Sequence, residues 1–253
     1  MQNISIDQVI EKLKLSINKS DDSLVIFTDD KLDNLSYCKG IKRVNDKENY
    51  FKEVIILNAT NDEEFNSFCS QINCDSKFKV YIMNSLDNNI NVKNFLSKYA
   101  SNCYSETIDV CNKITPTPDA IIDTLKFLFS DNLAEKKVLV TNRSNLIGRP
   151  VINKLLDINA TVICAHTKTS KNDLEKMMEN IDIIVTAAGR PKCFKLTKVD
   201  RPKYIIDAGI NVVDGKVVGD WDYESLNALD VHITPNPGGI GKLTTYELFK
   251  SLS

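Results

Sequence analysis

Short aliphatic runs alternate with longer stretches in which apolar residues recur every three or four positions, and the alternation persists along the whole chain. This pattern predicts buried β-strands separated by amphipathic helices, hence an α/β protein with parallel sheets. Residues 4–15 place Ile4, Ile6, Val9, Ile10, Leu13 and Leu15 at helical spacing, with Asp7 near the start. Residues 23–28, 54–57 and 78–83 read as strands. Residues 37–44 read as a short helix carrying Tyr37, Lys39, Lys42 and Arg43, and residues 62–72 as another. Thr115-Pro116-Thr117-Pro118 is the sharpest break, because proline resists helix interiors and sheets alike. Behind it residues 119–129 are helical, with Ile121, Ile122, Leu125, Phe127 and Leu128 as the apolar positions.

Four more strands follow: residues 138–140, residues 160–165, a run from Ile181 that ends in the small residues Ala187, Ala188 and Gly189, and residues 204–209. A helical pattern starts after Gly148 and Pro150 with Val151, Ile152, Leu155 and Leu156, and residues 246–252 form a last helix. The expected architecture is two α/β lobes, 1–129 and 130–253, with a cleft between them as the binding site. The second lobe is expected to be a Rossmann-like doubly wound parallel sheet with its ligand at the strand C-termini, and the last helix to pack back on the first lobe.

Composition narrows the function classes. No apolar run approaches the ~18 residues of a spanning helix, and the N-terminus lacks a basic then apolar leader, so a cytoplasmic protein with no membrane partner is expected. A net charge of −2 gives no basic surplus for a nucleic-acid backbone, so no nucleic acid is expected. Seven cysteines, at 38, 69, 74, 103, 111, 164 and 193, include no Cys-x-x-Cys pair, and the chain has two histidines. Reduced structural thiols and no metal site are expected.

The stretch from Lys136 to Pro150 organises the C-terminal half. A β-branched run meets a polar turn and then a helix, the opening of a dinucleotide-binding βαβ unit in which helix-start N–H groups face a pyrophosphate. Asn142 stands where a first glycine is usual and Gly148 is the one glycine left, so spacing alone does not separate a nucleotide site from an ordinary turn. Asn142 tolerates a positive φ better than most residues, although its side chain crowds the place of a diphosphate. The second strand of the unit ends in His166-Thr167-Lys168-Thr169 without an acid. Near the end, residues 233–245 hold two prolines and three glycines ahead of a helix that Thr244 or Thr245 is positioned to cap.

Five motifs, Arg143–Pro150, Ala187–Pro191, Ile206–Asn211, Gly219-Asp220 and Thr234–Gly241, resemble in order those of the methylenetetrahydrofolate dehydrogenase/cyclohydrolase family. The resemblance covers Thr115 to the C-terminus and is faint before it. It implies NADP or NAD on the C-terminal lobe, a small-molecule folate substrate between the lobes, and a homodimer formed through the cofactor lobe. The dehydrogenase moves a hydride from the folate's methylene bridge to the nicotinamide; the cyclohydrolase adds water to the cationic methenyl product. By resemblance Arg143, Ser144, Thr167 and Ile210 line the cofactor, and Pro237, Gly238 and Gly239 lie beside the folate. From their own chemistry Asn142, Gly148, His166, Lys168, Ala187 and Gly189 join the cofactor set.

Departures fall in the first lobe. The family's tyrosine is followed four residues on by a lysine that drives cyclohydrolysis, whereas alignment on Tyr37 puts Ile41 there, with Lys39 and Lys42 off register. Tyr37 and Lys42 are the catalytic candidates that remain. The family's Gln-Leu-Pro-Leu-Pro segment corresponds to Met83-Asn84-Ser85-Leu86-Asp87, and the aspartate that grips the pterin has Asp109 as its nearest counterpart. Three readings stay open: a dehydrogenase without cyclohydrolase, a catalytically silent cofactor- or partner-binding relative, and a bifunctional enzyme with a shifted lysine. Arg143, Thr167 and Lys168 around a site without an acid favour NADP over NAD.

Overall fold

A computed structural model describes residues 1–71 and 77–253; the expected end of a helix at Ile72, and Cys74, lie outside the described residues. In chain order the elements are β1 (Gln2–Asn3), α1 (Ile6–Lys14), β2 (Ser20–Thr28), α2 (Leu32–Glu48), β3 (Phe51–Asn58), α3 (Asp62–Gln71), β4 (Phe78–Ile82), α4 (Ile90–Tyr99), β5 (Cys103–Ser105), β6 (Asn112–Lys113) and α5 (Pro116–Leu128). They continue as β7 (Lys137–Val140), α6 (Gly148–Asp157), β8 (Thr161–Cys164), α7 (Lys171–Glu179), β9 (Ile183–Thr186), β10 (Lys203–Asp207), β11 (Asn211–Val213), β12 (Lys216–Val218), β13 (Val231–Ile233) and α8 (Ile240–Leu252). Two compact units result: Met1–Leu15 with Thr115–Glu247, and Ser16–Ile114 with Leu248–Ser253.

The unit built on Ser16–Ile114 carries a five-stranded parallel sheet in the order β3-β2-β4-β5-β6. Leu24, Val25, Ile26 and Phe27 of β2 are all buried, as a central parallel strand covered on both faces requires. Phe27 meets the rings of Phe65 and Phe95 edge to face at 5.4 and 5.1 Å. α2 runs well beyond the expected residues 37–44, because its buried stripe of Cys38, Ile41 and Asn45 includes a polar residue that the apolar pattern omits. Asn45 is buried by bonding both backbone groups of Phe51, donating to its carbonyl at 3.0 Å and accepting from its N–H at 2.8 Å.

In the other unit six strands pair in parallel in the order β1-β13-β10-β9-β7-β8, and β11 and β12 form a separate antiparallel hairpin. The chain begins as an edge strand, since Gln2 and Asn3 pair with His232 and Ile233; only from Ile6 does the expected opening helix start. Pro116 and Pro118 sit in the first turn of α5, where a missing N–H costs nothing, so the apparent break is a helix start. α5 packs on α1 and α6 and ties to the latter through Asp119 and Lys154 at 2.8 Å. The units accordingly divide at Thr115, not near Phe129, and the first fifteen residues join the C-terminal one.

α8 starts at Ile240, six residues before the expected Tyr246, so Thr244 and Thr245 are interior and cap nothing. The Thr244 hydroxyl donates back to the Ile240 carbonyl at 3.0 Å. From Leu248 onward the helix belongs to the five-stranded unit, where the Phe249 ring meets that of Tyr50 at 5.1 Å, tilted by 42°. In each sheet the chain reverses its winding once, between β2 and β4 and between β7 and β9, which places a crevice above the C-terminal strand ends at each point.

Candidate functional site

Above the β7/β9 reversal lies a pocket of about 230 Å³ lined by the turns that follow β7, β8 and β9. Asn142, Arg143, Ser144, His166 and Thr167 all reach it, so the turns after β7 and β8 meet at one place. The turn after β7 is held from within. The Asn142 amide donates to the Ala187 carbonyl at 2.5 Å and its oxygen accepts from the Ser144 N–H at 2.6 Å, tying the first turn to the third. Asn142 is absent from the residues with positive φ, so its place there rests on these bonds and not on backbone tolerance.

Helix-start amides were expected to face a ligand phosphate, but Ser144 has taken them. Its hydroxyl accepts from the N–H groups of Ile147 at 3.1 Å and Gly148 at 3.4 Å, and its carbonyl from that of Arg149 at 2.9 Å. The helix-start N–H groups are therefore engaged within the turn itself. Gly148 serves the turn itself: a Cβ would lie 2.1 Å from the Asn142 carbonyl oxygen, so the glycine lets the helix start touch the strand end.

After β8, the His166 N–H donates to the Thr169 hydroxyl at 3.0 Å, and the Lys168 N–H to His166 Nδ1 at 3.2 Å. An accepting Nδ1 makes Nε2 the protonated nitrogen of the neutral ring, a donor. Lys168 and Gly189 are exposed, Ala187 is half-buried and Gly148 buried, and all four lie outside the pocket lining. Ala188 and Arg190 line it instead, alternating with the residues the sequence singled out; both stand in the same Ala-Ala-Gly-Arg-Pro motif, which was the signal available. The lining contains two arginines and no Asp or Glu.

The third turn is fixed by a buried carboxylate. Asp220, fully buried, accepts from the N–H groups of Ala188 and Arg190 and from the Asn211 amide, the last two at 3.1 and 3.0 Å. Its own N–H donates to the Asp207 carboxylate at 3.1 Å, which also accepts from the Gly209 N–H at 3.0 Å. A Cβ on Gly209 would meet the Asp220 carboxylate at 2.2–2.6 Å, and one on Gly219 the Asp207 oxygen at 2.0 Å, so two glycines admit two acids. Burial pushes the Asp207 carboxyl up to about 6, the N–H donors of Gly209 and Asp220 pull it down, and the Asp220 charge raises it again. Ile210, beside this network, is exposed and outside the pocket, and its side chain approaches Gly241. Pro237 and Gly238 are exposed ahead of α8; Gly239 is buried, its Cα too close to the Pro235 carbonyl for any Cβ.

A second polar cluster crowns the β2/β4 reversal in the other unit. The Asn34 amide bridges the Asp29 carboxylate at 2.7 Å and the Ser85 hydroxyl at 3.1 Å, spanning the two strand ends. Beside it the Tyr81 hydroxyl donates to the Glu106 carboxylate at 2.7 Å, and Asn84 also bonds Glu106. Tyr37, half-buried, lies within electrostatic reach of both: burial, then the charge of Glu106, raises its phenol far above the ordinary range. Ile41, one turn on, is completely buried and apolar. Lys42 is not brought to Tyr37; its ammonium donates to the Val54 carbonyl at 3.2 Å and lies 3.8 Å from Asp46. Asp109 stands almost fully exposed, 3.5 Å from Lys113. Tyr81 and Glu106 were passed over in the sequence because one sits inside an apolar strand and the other follows a three-residue strand that the pattern does not reveal.

The Asp207 site has a measurable consequence. The folded chain keeps this proton up to about pH 6, while an unfolded chain releases it near 3.8, so unfolding releases a proton between those values. Stability contributed by the protonated group is full at low pH and falls as pH rises through that window, by on the order of 3 kcal/mol. In urea titrations from pH 4 to 7, Asp207→Asn should flatten the decline relative to the unaltered chain. Parallel curves for the two proteins would show that Asp207 does not titrate there.

Residues 115–253 match the sequence profile of the tetrahydrofolate dehydrogenase/cyclohydrolase NAD(P)-binding domain. The bifunctional protein FolD of Clostridium beijerinckii is 33% identical over 215 residues, covering 79% of this chain and 74% of that protein. Its counterpart in Malacoplasma penetrans is 34% identical over 216 residues, covering 85% and 73%. The methylenetetrahydrofolate dehydrogenase-cyclohydrolase of Trypanosoma brucei, solved with NADP and an inhibitor, superposes with a TM-score of 0.74 over 100% of this chain and 95% of that one; at 19% identity this likeness concerns the fold. With the profile spanning more than half its length and two relatives above 30% identity, this chain belongs to the tetrahydrofolate dehydrogenase/cyclohydrolase family.

Proposed function

We propose that this chain oxidises 5,10-methylene-tetrahydrofolate by hydride transfer to NADP and does not hydrolyse the methenyl product. The observation that carries the reading is the pocket above the β7/β9 reversal, where Arg143, Ser144, His166 and Thr167 present donors and no lining residue is an acid. That donor set fits a dinucleotide whose ribose bears a phosphate, since an acid at the end of β8 would bind ribose hydroxyls and repel the phosphate. When bound, the nicotinamide accepts the hydride. The residues around it position the cofactor: Asn142 locks the first turn to the third, and Asp220 fixes the N–H groups of Ala188 and Arg190.

Loss of the second activity is supported by Ile41. A buried isoleucine neither takes up nor donates a proton, and Lys42 is engaged with Val54 and Asp46 on another side of α2. Hydride transfer needs alignment more than an acid or base, so it survives this change. We further propose a homodimer formed through the β11–β12 hairpin. Val212, Val213 and Val217 on it are exposed, and a two-stranded sheet gains stability from strands added by a second copy.

Purified protein given methylene-tetrahydrofolate and NADP should develop the methenyl-folate absorbance band, and added methenyl-folate should decay no faster than in buffer. No band with either nicotinamide cofactor would overturn the dehydrogenase reading. Fast decay abolished by Lys42→Ala would restore a bifunctional enzyme. Arg143→Ala should weaken NADP binding by about tenfold and NAD binding far less, as loss of one charge-assisted phosphate contact implies. Equal losses, or tighter binding of NAD by the unaltered chain, would reverse the cofactor preference. Light scattering should give twice the chain mass, and Val212→Lys with Val217→Lys should halve it; an unaltered mass would move the interface elsewhere.

A further inference from the structure

We propose that the Glu106 carboxylate, held by Tyr81, stabilises the positive charge that appears on the folate as the hydride leaves. The proposal rests on the dehydrogenase reading above and adds a residue that neither the sequence motifs nor the aligned tyrosine identifies. Removal of a hydride, two electrons with one hydrogen, breaks one C–H bond of the methylene bridge and leaves a cation shared by the carbon and its two flanking nitrogens. No proton is released. The bridge is neutral before the step and charged after it, so a fixed anion nearby binds the transition state better than the substrate.

Glu106 is placed for this by the fold. It follows β5, next to the β2/β4 reversal where an open parallel sheet holds its ligand, and it is half-buried. The Tyr81 hydroxyl at 2.7 Å and Asn84 fix the carboxyl, and Tyr37 flanks it. Ile41, at the position where the family resemblance puts a lysine, is buried and apolar, and Lys42 points its ammonium to the Val54 carbonyl. With an isoleucine in place of that ammonium, the Glu106 carboxylate favours formation of the cation and also lowers its appetite for water, in line with loss of hydrolysis.

The groups facing Glu106 are Tyr37 on α2, Tyr81 on β4, Asn84 after β4 and Lys113 on β6. Burial raises the Glu106 carboxyl above its ordinary range, while the Tyr81 and Asn84 hydrogen bonds and the Lys113 charge act against that rise. The ionised form is the active one, so turnover should fall as pH drops through this pKa.

Glu106→Gln should lower kcat by about tenfold or more with little change in KM for methylene-tetrahydrofolate, and remove the acid limb of the kcat profile. Binding of methenyl-folate, followed by fluorescence without cofactor, should weaken by a similar factor, while tetrahydrofolate and NADP bind as before. Tyr81→Phe, which leaves the carboxyl in place, should move the acid limb to higher pH and serves where the glutamine variant fails to fold. Unchanged kcat and unchanged methenyl-folate affinity in Glu106→Gln, with the unaltered protein active, would overturn the role of Glu106 alone. Neither turnover nor folate binding in the unaltered protein would overturn the dehydrogenase reading, and this proposal with it.

Discussion

Two carboxylates withdrawn from water, those of Asp207 and Asp220, govern the strand ends that form the pocket. A buried carboxylate is costly unless several N–H groups meet it. Here the donors come from the turn after β9, from Gly209 beyond β10, and from Asp220 itself. The cost of burial is thereby converted into geometry, because each donor must stay where a carboxylate oxygen can accept from it. Gly209 and Gly219 are required by the same constraint, since any side chain at either would displace an acid. Remote positions in the sequence become one rigid frame, and Ala188 and Arg190 line the pocket because the frame fixes their backbone.

The same economy explains how the pocket handles charge. In many dinucleotide sites bare helix-start amides meet the phosphate. Here Ser144 satisfies those amides from within the turn, and Asn142 stitches the turn to Ala187. What is left for an anion is a ring of side chains, two arginines among them, which act as point donors and charges and not as a helix dipole. The other unit is organised in the opposite sense, with Asp29 held by Asn34, Glu106 beside the phenols of Tyr81 and Tyr37 at its strand ends, and a buried isoleucine at position 41. One unit is built to receive an anionic cofactor, and the polar cluster of the other carries negative charge.

The sequence by itself determined the class of fold, most of the strands and the family, because central parallel strands are continuous apolar runs and glycine-rich turns have few alternatives. That Arg143, Ser144, His166 and Thr167 would share one strand-end pocket was legible for the same reason: each sits in a short turn directly after a strand whose end is clear. Tertiary structure decided what depends on partners distant along the chain. β1 is a strand only because β13 lies beside it, α2 reaches Glu48 only because Asn45 finds Phe51, and the prolines at 116 and 118 begin a helix that belongs with the residues after it. Gly148 was legible as essential but not for the reason spacing suggests, since it makes room for the Asn142 carbonyl. Glu106 and Tyr81 were invisible because a hydrogen bond between residues 25 apart leaves no periodic trace in the chain, and burial, which gives that bond its strength, is a property of the assembled sheet.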